Sequence, residues 1–115
     1  MSQVQTWWNT TAGIPVIGQR VFSLAFSHKA PYFATIRPWF TVVQPNHVEL
    51  VISKRRRVHN HIGTVHAIAL CNGLEAAMGA LAEVTIPGDR RWIPKGMDIS
   101  YTAKATSDIT CIAET

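Results

Sequence analysis

The chain has 115 residues, 47% of them hydrophobic and only 16% charged, with a formal net charge of +4. That length holds one domain, because cores divide only in chains about twice as long, and the composition excludes a disordered or highly charged tail. The charged fraction lies below the usual value of about 25%, which leaves few residues for solvated surface and predicts apolar contact with a further subunit.

Cys71 lies in an apolar helical run and Cys111 in a strand-like one, with no paired spacing, so both read as reduced core thiols. The opening Met-Ser-Gln-Val-Gln-Thr-Trp-Trp has neither a basic region nor a long apolar stretch, which argues against a signal peptide. The longest apolar window, residues 62–82, is long enough for a bilayer but contains His66, Asn72 and Glu75 and is rich in Ala and Gly. A soluble cytoplasmic protein is expected.

In chain order, Ile17, Val21, Leu24 and Ala25 repeat at helical spacing and predict an N-terminal helix over residues 15–28, within a helical segment ending near residue 29. Residues 35–43 are rich in β-branched and aromatic types, Pro45-Asn46 breaks the run, and residues 47–52 resume an extended pattern. This predicts a hairpin, with Pro38 marking an edge or a bulge in its first strand. From Thr64, which can cap, to residue 82, strong helix formers predict the central helix. Its alanines, with Gly73 and Gly79, keep it thin, so a sheet can wrap closely around it. Pro87-Gly88 turns the chain, the alternation of Met97, Ile99, Tyr101 and Ala103 with polar residues predicts a third strand over 97–104, and residues 109–113 begin a fourth. The expected class is α+β, with an antiparallel sheet on one main helix.

Reactive side chains are densest in residues 59–66, which hold His59, Asn60, His61 and His66, followed on the helix by Asn72 and Glu75. The histidine spacing matches no helical metal pair and the cysteines lie elsewhere, so no metal site is expected. Glu75 sits in an otherwise apolar helix, where an ionised carboxylate is costly unless paired or hydrogen-bonded; it is either a functional acid or a carboxylate reaching solvent or a nearby cation. Asn60 reads either as a site residue or as a loop cap. The run Lys54, Arg55, Arg56, Arg57 fits phosphate recognition, an ordinary solvated strand end, or nucleic-acid contact, although no helix-turn-helix or aromatic platform accompanies it. Arg90, Arg91 and Lys95 form a second basic patch, beside Trp92, which is placed either to stack on a base or to pack. Phe22, Phe26, Phe33, Trp39 and Phe40 either line a pocket or fill the core.

The stretch Asn60-His-Ile-Gly-Thr-Val-His66, then a small-residue helix with an acid nine positions after His66, resembles the hotdog-fold acyl-CoA thioesterases of the phenylacetate-pathway type. Their pattern is Asn, a loop, His-Gly-Gly at a helix start, and Asp or Glu nine residues beyond that His. Ala30-Pro-Tyr-Phe, residues 59–72 and Arg91-Trp-Ile-Pro-Lys-Gly-Met97 are similar to a bacterial branch of that superfamily, and the resemblance covers residues 30–113. It implies a hotdog fold and acyl-CoA thioester hydrolysis with no cofactor beyond the substrate's own CoA. Glu75 would be the catalytic carboxylate, with the thioester oxygen polarised by backbone N–H groups around His66 and Ala67 and with Asn60 orienting water or a carbonyl. Gly63, Thr64 and Asn72 would lie on the substrate, and Arg55, Arg56, Arg57 and Lys95 on its phosphates. Neither nucleic acid nor membrane is expected as a partner.

Two features qualify the resemblance. Ala67 and Ile68 replace the two glycines of the pattern, which keeps open a non-catalytic acyl-CoA or fatty-acyl binding module on the same fold. Hotdog sheets have five or more strands and only four are predicted here, so the last are expected to be missing or supplied by a partner. Independently of any family, His66 and Glu75 are nine residues apart, which on one helix is about 13 Å along the axis and about half a turn around it. A site using both must join two subunits, so a dimer or a dimer of dimers is expected.

Overall fold

The computed structural model describes residues 3–11, 13–14 and 17–115. Helices α1 (Gln3–Thr11) and α2 (Gly18–Lys29) are followed by a 3-10 turn (Pro31–Ile36) and strands β1 (Trp39–Gln44) and β2 (His47–Ile52). A short 3-10 turn (Arg56–Val58) leads to the long helix α3 (Ala67–Thr85), and β3 (Ile109–Glu114) closes the order. The strands form one antiparallel sheet in the order β1-β2-β3, and α3 lies across it and touches all three.

The hairpin follows from its turn residues. Pro45 supplies the fixed φ of the first central position and Asn46 takes φ 70°, the left-handed value that Asn tolerates at the second. β1 is an edge strand with a bulge between Phe40 and Val42, as Pro38 implies, and Pro38 itself is buried just before the strand. Across the sheet, Phe40 pairs with Leu50 and Leu50 with Cys111, and this row is wholly buried under α3. Val43, Val48 and Ile52 extend the same face, each such side chain contributing about 1.5–3 kcal/mol of burial.

Thinness in α3 is what lets the sheet close. A Cβ on Gly73 would fall on the Ile52 Cδ1 atom and within 2.8 Å of Cys111 Sγ, both fully buried. Burial also pushes the Cys111 thiol up to about 11, so it stays a neutral core group. α3 is long and apolar enough to cross a membrane by length and composition, yet here its Ala69, Ala76, Ala77 and Ala80 face the core. α2 brings Phe22 and Phe26 onto Phe40 with ring centroids 5.3 Å and 4.7 Å away, and α1 adds Trp8 edge-on to Phe22 at 5.1 Å. Gln5 of α1 donates from Nε2 to the Val43 carbonyl at 3.1 Å, which ties that helix to the edge strand.

Several expectations change. The first helix spans Gly18–Lys29, and the beginning of the range expected for it, residues 15 and 16, lies outside the described residues. A separate helix, Gln3–Thr11, precedes it. The expected strand over 35–43 begins only at Trp39, because Pro31 initiates a 3-10 turn that ends at Arg37 in a left-handed conformation. α3 starts at Ala67 rather than Thr64, since His66 supplies the cap. The third predicted strand, residues 97–104, is irregular: Met97, Tyr101 and Ala103 are exposed instead of turned inward, and among the described residues the segment forms no ladder. A space of about 320 Å³ separates it from β3. Among the described residues three strands therefore stand where four were expected, and β3 is the last of them.

On the outer sheet face His47 bonds Glu49 at 2.8 Å and approaches Glu114 at 3.3 Å. The hydrogen bond to Glu49, helped by both negative charges, raises the His47 pKa above 6.5. Its stabilisation is therefore fully present below the unfolded value of 6.5 and is lost as pH rises through the folded value. Proton NMR titration should find His47 above 6.5, and Glu49→Gln should bring it down. For Gly73→Ala, the helix-propensity gain of about 1 kcal/mol is outweighed by overpacking against immobile neighbours. A net loss of about 1–2 kcal/mol is expected as a lower urea midpoint at unchanged slope.

Candidate functional site

The start of α3 is built by a closed loop. His59 pairs with Val65, the Asn60 N–H donates to the Thr64 carbonyl at 2.8 Å, and Gly63 takes φ 78° at the loop's tip, a conformation that favours glycine. Asn60 holds this loop from within. Its Oδ1 accepts from the N–H groups of Ile62 at 3.0 Å and Thr64 at 3.1 Å, and its Nδ2 donates to Thr64 Oγ1 at 2.7 Å. Within one protomer, the loop-capping reading of Asn60 is the one realised.

His66 is the N-cap, with extended backbone, and its Nδ1 accepts from the Ile68 N–H at 3.0 Å. Its carbonyl accepts from Ala69 and Leu70. Ala67, the first helical residue, has an N–H without an acceptor among the described residues, and the helix dipole favours negative charge there. The ring that caps therefore leaves one backbone donor open beside it.

Glu75 lies half-buried in the middle of α3. It has no ion pair among the described residues, and it lines a cavity of about 330 Å³ whose walls are mainly apolar: Val4, Trp7, Phe26, Phe33, Gly79 and Trp92. Of the aromatic set weighed above, Phe26 and Phe33 thus line a pocket, Phe22 and Phe40 are wholly buried core, and Trp39 is exposed with its indole N–H on Gln19 Oε1 at 2.9 Å. Glu75, Gly79 and Glu83 repeat every four residues, so one side of α3 forms the floor. Trp92 sits above Gly79, at 3.4 Å from where a Cβ would stand, and its Nε1–H donates to Glu83 Oε1 at 3.0 Å. Packing, rather than exposure for stacking, is the use the fold makes of Trp92.

Asn72, on α3 one turn before Ala76, is buried and donates from Nδ2 to Thr35 Oγ1 at 3.0 Å, while its Oδ1 is buried without a partner among the described residues. Arg55 is half-buried with an unpartnered Nε, and Arg56 and Arg57 are exposed on the short 3-10 turn. The Val58 carbonyl accepts from the His66 N–H at 2.7 Å, so this basic run sits at the start of α3. Arg90 and Arg91 line a groove of about 820 Å³ with residues 82–88, at the other end of the helix, and Lys95 is exposed on the segment that follows. With 19 residues in α3, the two basic groups are about 28 Å apart along it. A single phosphate in one protomer cannot meet both.

Sequence reasoning missed Trp7, Gly79 as part of a site, and the anchoring use of Tyr101. The Tyr101 hydroxyl donates to the Ala67 carbonyl at 3.2 Å and meets Cys71 Sγ at 2.6 Å, which fastens the irregular segment to the first turns of α3. An exposed-looking Tyr in an alternating run carried no sign of this. Glu75 and Gly79, four apart, did carry a signal: an acid and a gap on one helix face.

No curated protein is significantly similar to the chain. Among solved structures, the genomics protein APC5556 is 44% identical with a TM-score of 0.84, over 96% of this chain and 73% of that one. A Pseudomonas aeruginosa protein, PA5026, described as of unknown function and a probable thioesterase, is 26% identical with a TM-score of 0.71, over 78% of this chain and 60% of that one. A thioesterase family protein from Silicibacter pomeroyi shares the fold at 19% identity and a TM-score of 0.70, over 80% of this chain and 68% of that one. The profile of the domain of unknown function DUF4442 matches residues 18–115. Matched over that span and sharing its fold with these proteins, the chain belongs to the DUF4442 family, within the hotdog-fold thioesterase superfamily.

Proposed function

We propose that the protein hydrolyses acyl-CoA thioesters, with Glu75 as general base. The observation that carries this is a half-buried carboxylate without an ion partner among the described residues, set in the floor of a mainly apolar cavity. Thioester hydrolysis needs both: a base to activate water and a dry space for the acyl group. Glu75 takes one proton from water as the oxygen adds to the thioester carbon. The carbonyl oxygen gains negative charge and accepts a hydrogen bond from the open Ala67 N–H of a second protomer. The carbon–sulfur bond then breaks, the proton held by Glu75 goes to the departing CoA sulfur, and the carboxylic acid is the other product.

The shared site rests on helix geometry. With His66 and Glu75 about 13 Å apart on α3, a homodimer is needed to bring an N-terminus of one protomer to the acid of the other. The coenzyme phosphates then meet Arg55, Arg56 and Arg57 of one protomer or the patch around Arg90, Arg91 and Lys95. Two observations favour a second reading, an acyl-CoA binding module without turnover: Asn60 is committed to its own loop, and Ala67 carries a methyl group where the related pattern has glycine.

A thiol-release assay over an acyl-CoA panel separates the two. Turnover should be Glu75-dependent, with Glu75→Gln lowering kcat by about 10²–10⁴-fold at unchanged thermal stability. Equal rates for the variant and the parent protein would sink the general-base role, and tight binding with no turnover would establish the second reading. Ala67→Pro tests the donor, because proline is tolerated at the first helical position, the preceding His66 is already extended, and only the N–H is lost. If the site is shared, co-refolding the two inactive variants restores about a quarter of the activity, since half of the dimers are mixed and each has one intact site. No recovery places acid and donor in one protomer.

A further inference from the structure

We propose that the cavity beside Glu75 is a length gauge for a straight, medium acyl chain of about eight to ten carbons, with Gly79 and the Glu83–Trp92 pair setting its limit. The inference rests on the hydrolytic reading and names the acyl group that reading leaves open. Glu75, Gly79 and Glu83 lie on one side of α3, and eight residues of helix advance about 12 Å. A zigzag of tetrahedral bonds advances about 1.2 Å per bond, as in an extended backbone, so the track from Glu75 to Glu83 accommodates about ten bonds. The walls along it are aromatic and aliphatic, from Trp7, Phe26 and Phe33, and Gly79 lies in the floor with the edge of the Trp92 ring 3.4 Å from where its Cβ would stand, so a side chain there would fill space between floor and ring.

The far end is polar. The Glu83 carboxyl group is held in place by the Trp92 indole N–H at 3.0 Å, so a longer chain would press its methyl end against a polar group. Lys29, the cation at the cavity, is engaged with Gln3 Oε1 at 3.1 Å and with the Trp7 ring at 5.6 Å, which leaves it against the wall rather than across the track. The volume of about 330 Å³ lies near the lower end of ligand pockets, which suits one such chain and excludes a long fatty acyl group.

The test measures kcat/KM for acetyl-, hexanoyl-, decanoyl- and hexadecanoyl-CoA with the unaltered protein, Gly79→Leu, Gly79→Ala and Glu83→Leu. Decanoyl-CoA should be preferred, Gly79→Leu should lower its kcat/KM by about tenfold or more while acetyl-CoA changes less than about threefold, and Glu83→Leu should shift the optimum to longer chains. If Gly79→Leu does not fold, Gly79→Ala should show the same direction with a smaller change. Uniform loss over all chain lengths, or an unaltered preference in every variant, overturns the gauge while leaving the hydrolytic reading intact. Should no acyl-CoA be turned over, calorimetric titration with decanoate and hexadecanoate still decides it: decanoate binding that Gly79→Leu abolishes supports the gauge, and equal binding of both acids refutes it.

Discussion

The close approach of α3 to the sheet at Gly73 is the constraint on which the rest of the molecule depends. Ile52 and Cys111, from β2 and β3, both reach the space that a single methyl group would fill. Bringing the helix this near seals the row Phe40, Leu50 and Cys111 from solvent with only small side chains above it. Dense interiors transmit changes of one methylene, so the position of α3, and with it everything α3 carries, is fixed by a residue that itself has no chemistry. Glu75 stands two residues further on, half-buried rather than in the sealed face.

This division of α3 into a sealed face and a working side explains the site. Ala69, Ala76, Ala77 and Ala80 are consumed by the core, while Glu75, Gly79 and Glu83 look toward α1, α2 and Trp92. The same helix holds its open N–H donor at one end and the groove with Arg90 and Arg91 at the other. A rigid rod with chemistry distributed along it cannot focus that chemistry alone. Within one protomer the open donor and Glu75 therefore stay about 13 Å apart.

Much of this was legible in the amino-acid sequence, for reasons that differ by element. β2 was read at its observed bounds because residues 47–52 alternate cleanly and one face is wholly buried. α3 was legible through its helix formers, though its start was not: Thr64 and His66 both suit a cap, and the choice depends on Asn60 binding Thr64 within the loop. The alternation of residues 97–104 misled because periodicity records only the order of apolar and polar residues: in the fold Met97 and Tyr101 stay exposed and the segment joins no ladder. α1 escaped notice because its segment, Gln3–Thr11, mixes polar residues with two adjacent tryptophans and lacks an acidic first turn or a basic last turn. Glu75 was singled out from its apolar surroundings. Its cavity was not, since Trp7, Phe26, Phe33 and Trp92 come from four separate segments and only the fold brings them together.

One wall of that cavity belongs to α1, and this has a thermodynamic consequence. Val4 and Trp7 face the cavity, while Gln5 and Trp8 attach the same helix to β1 and α2. Any molecule that fills the cavity touches α1 and α3 at once, so its affinity includes the free energy of holding α1 in place. By linkage the reverse holds equally: whatever loosens α1 from the edge strand weakens the ligand by the same factor. The N-terminal helix thus forms part of the cavity wall although it lies outside the 18–115 span of the family profile.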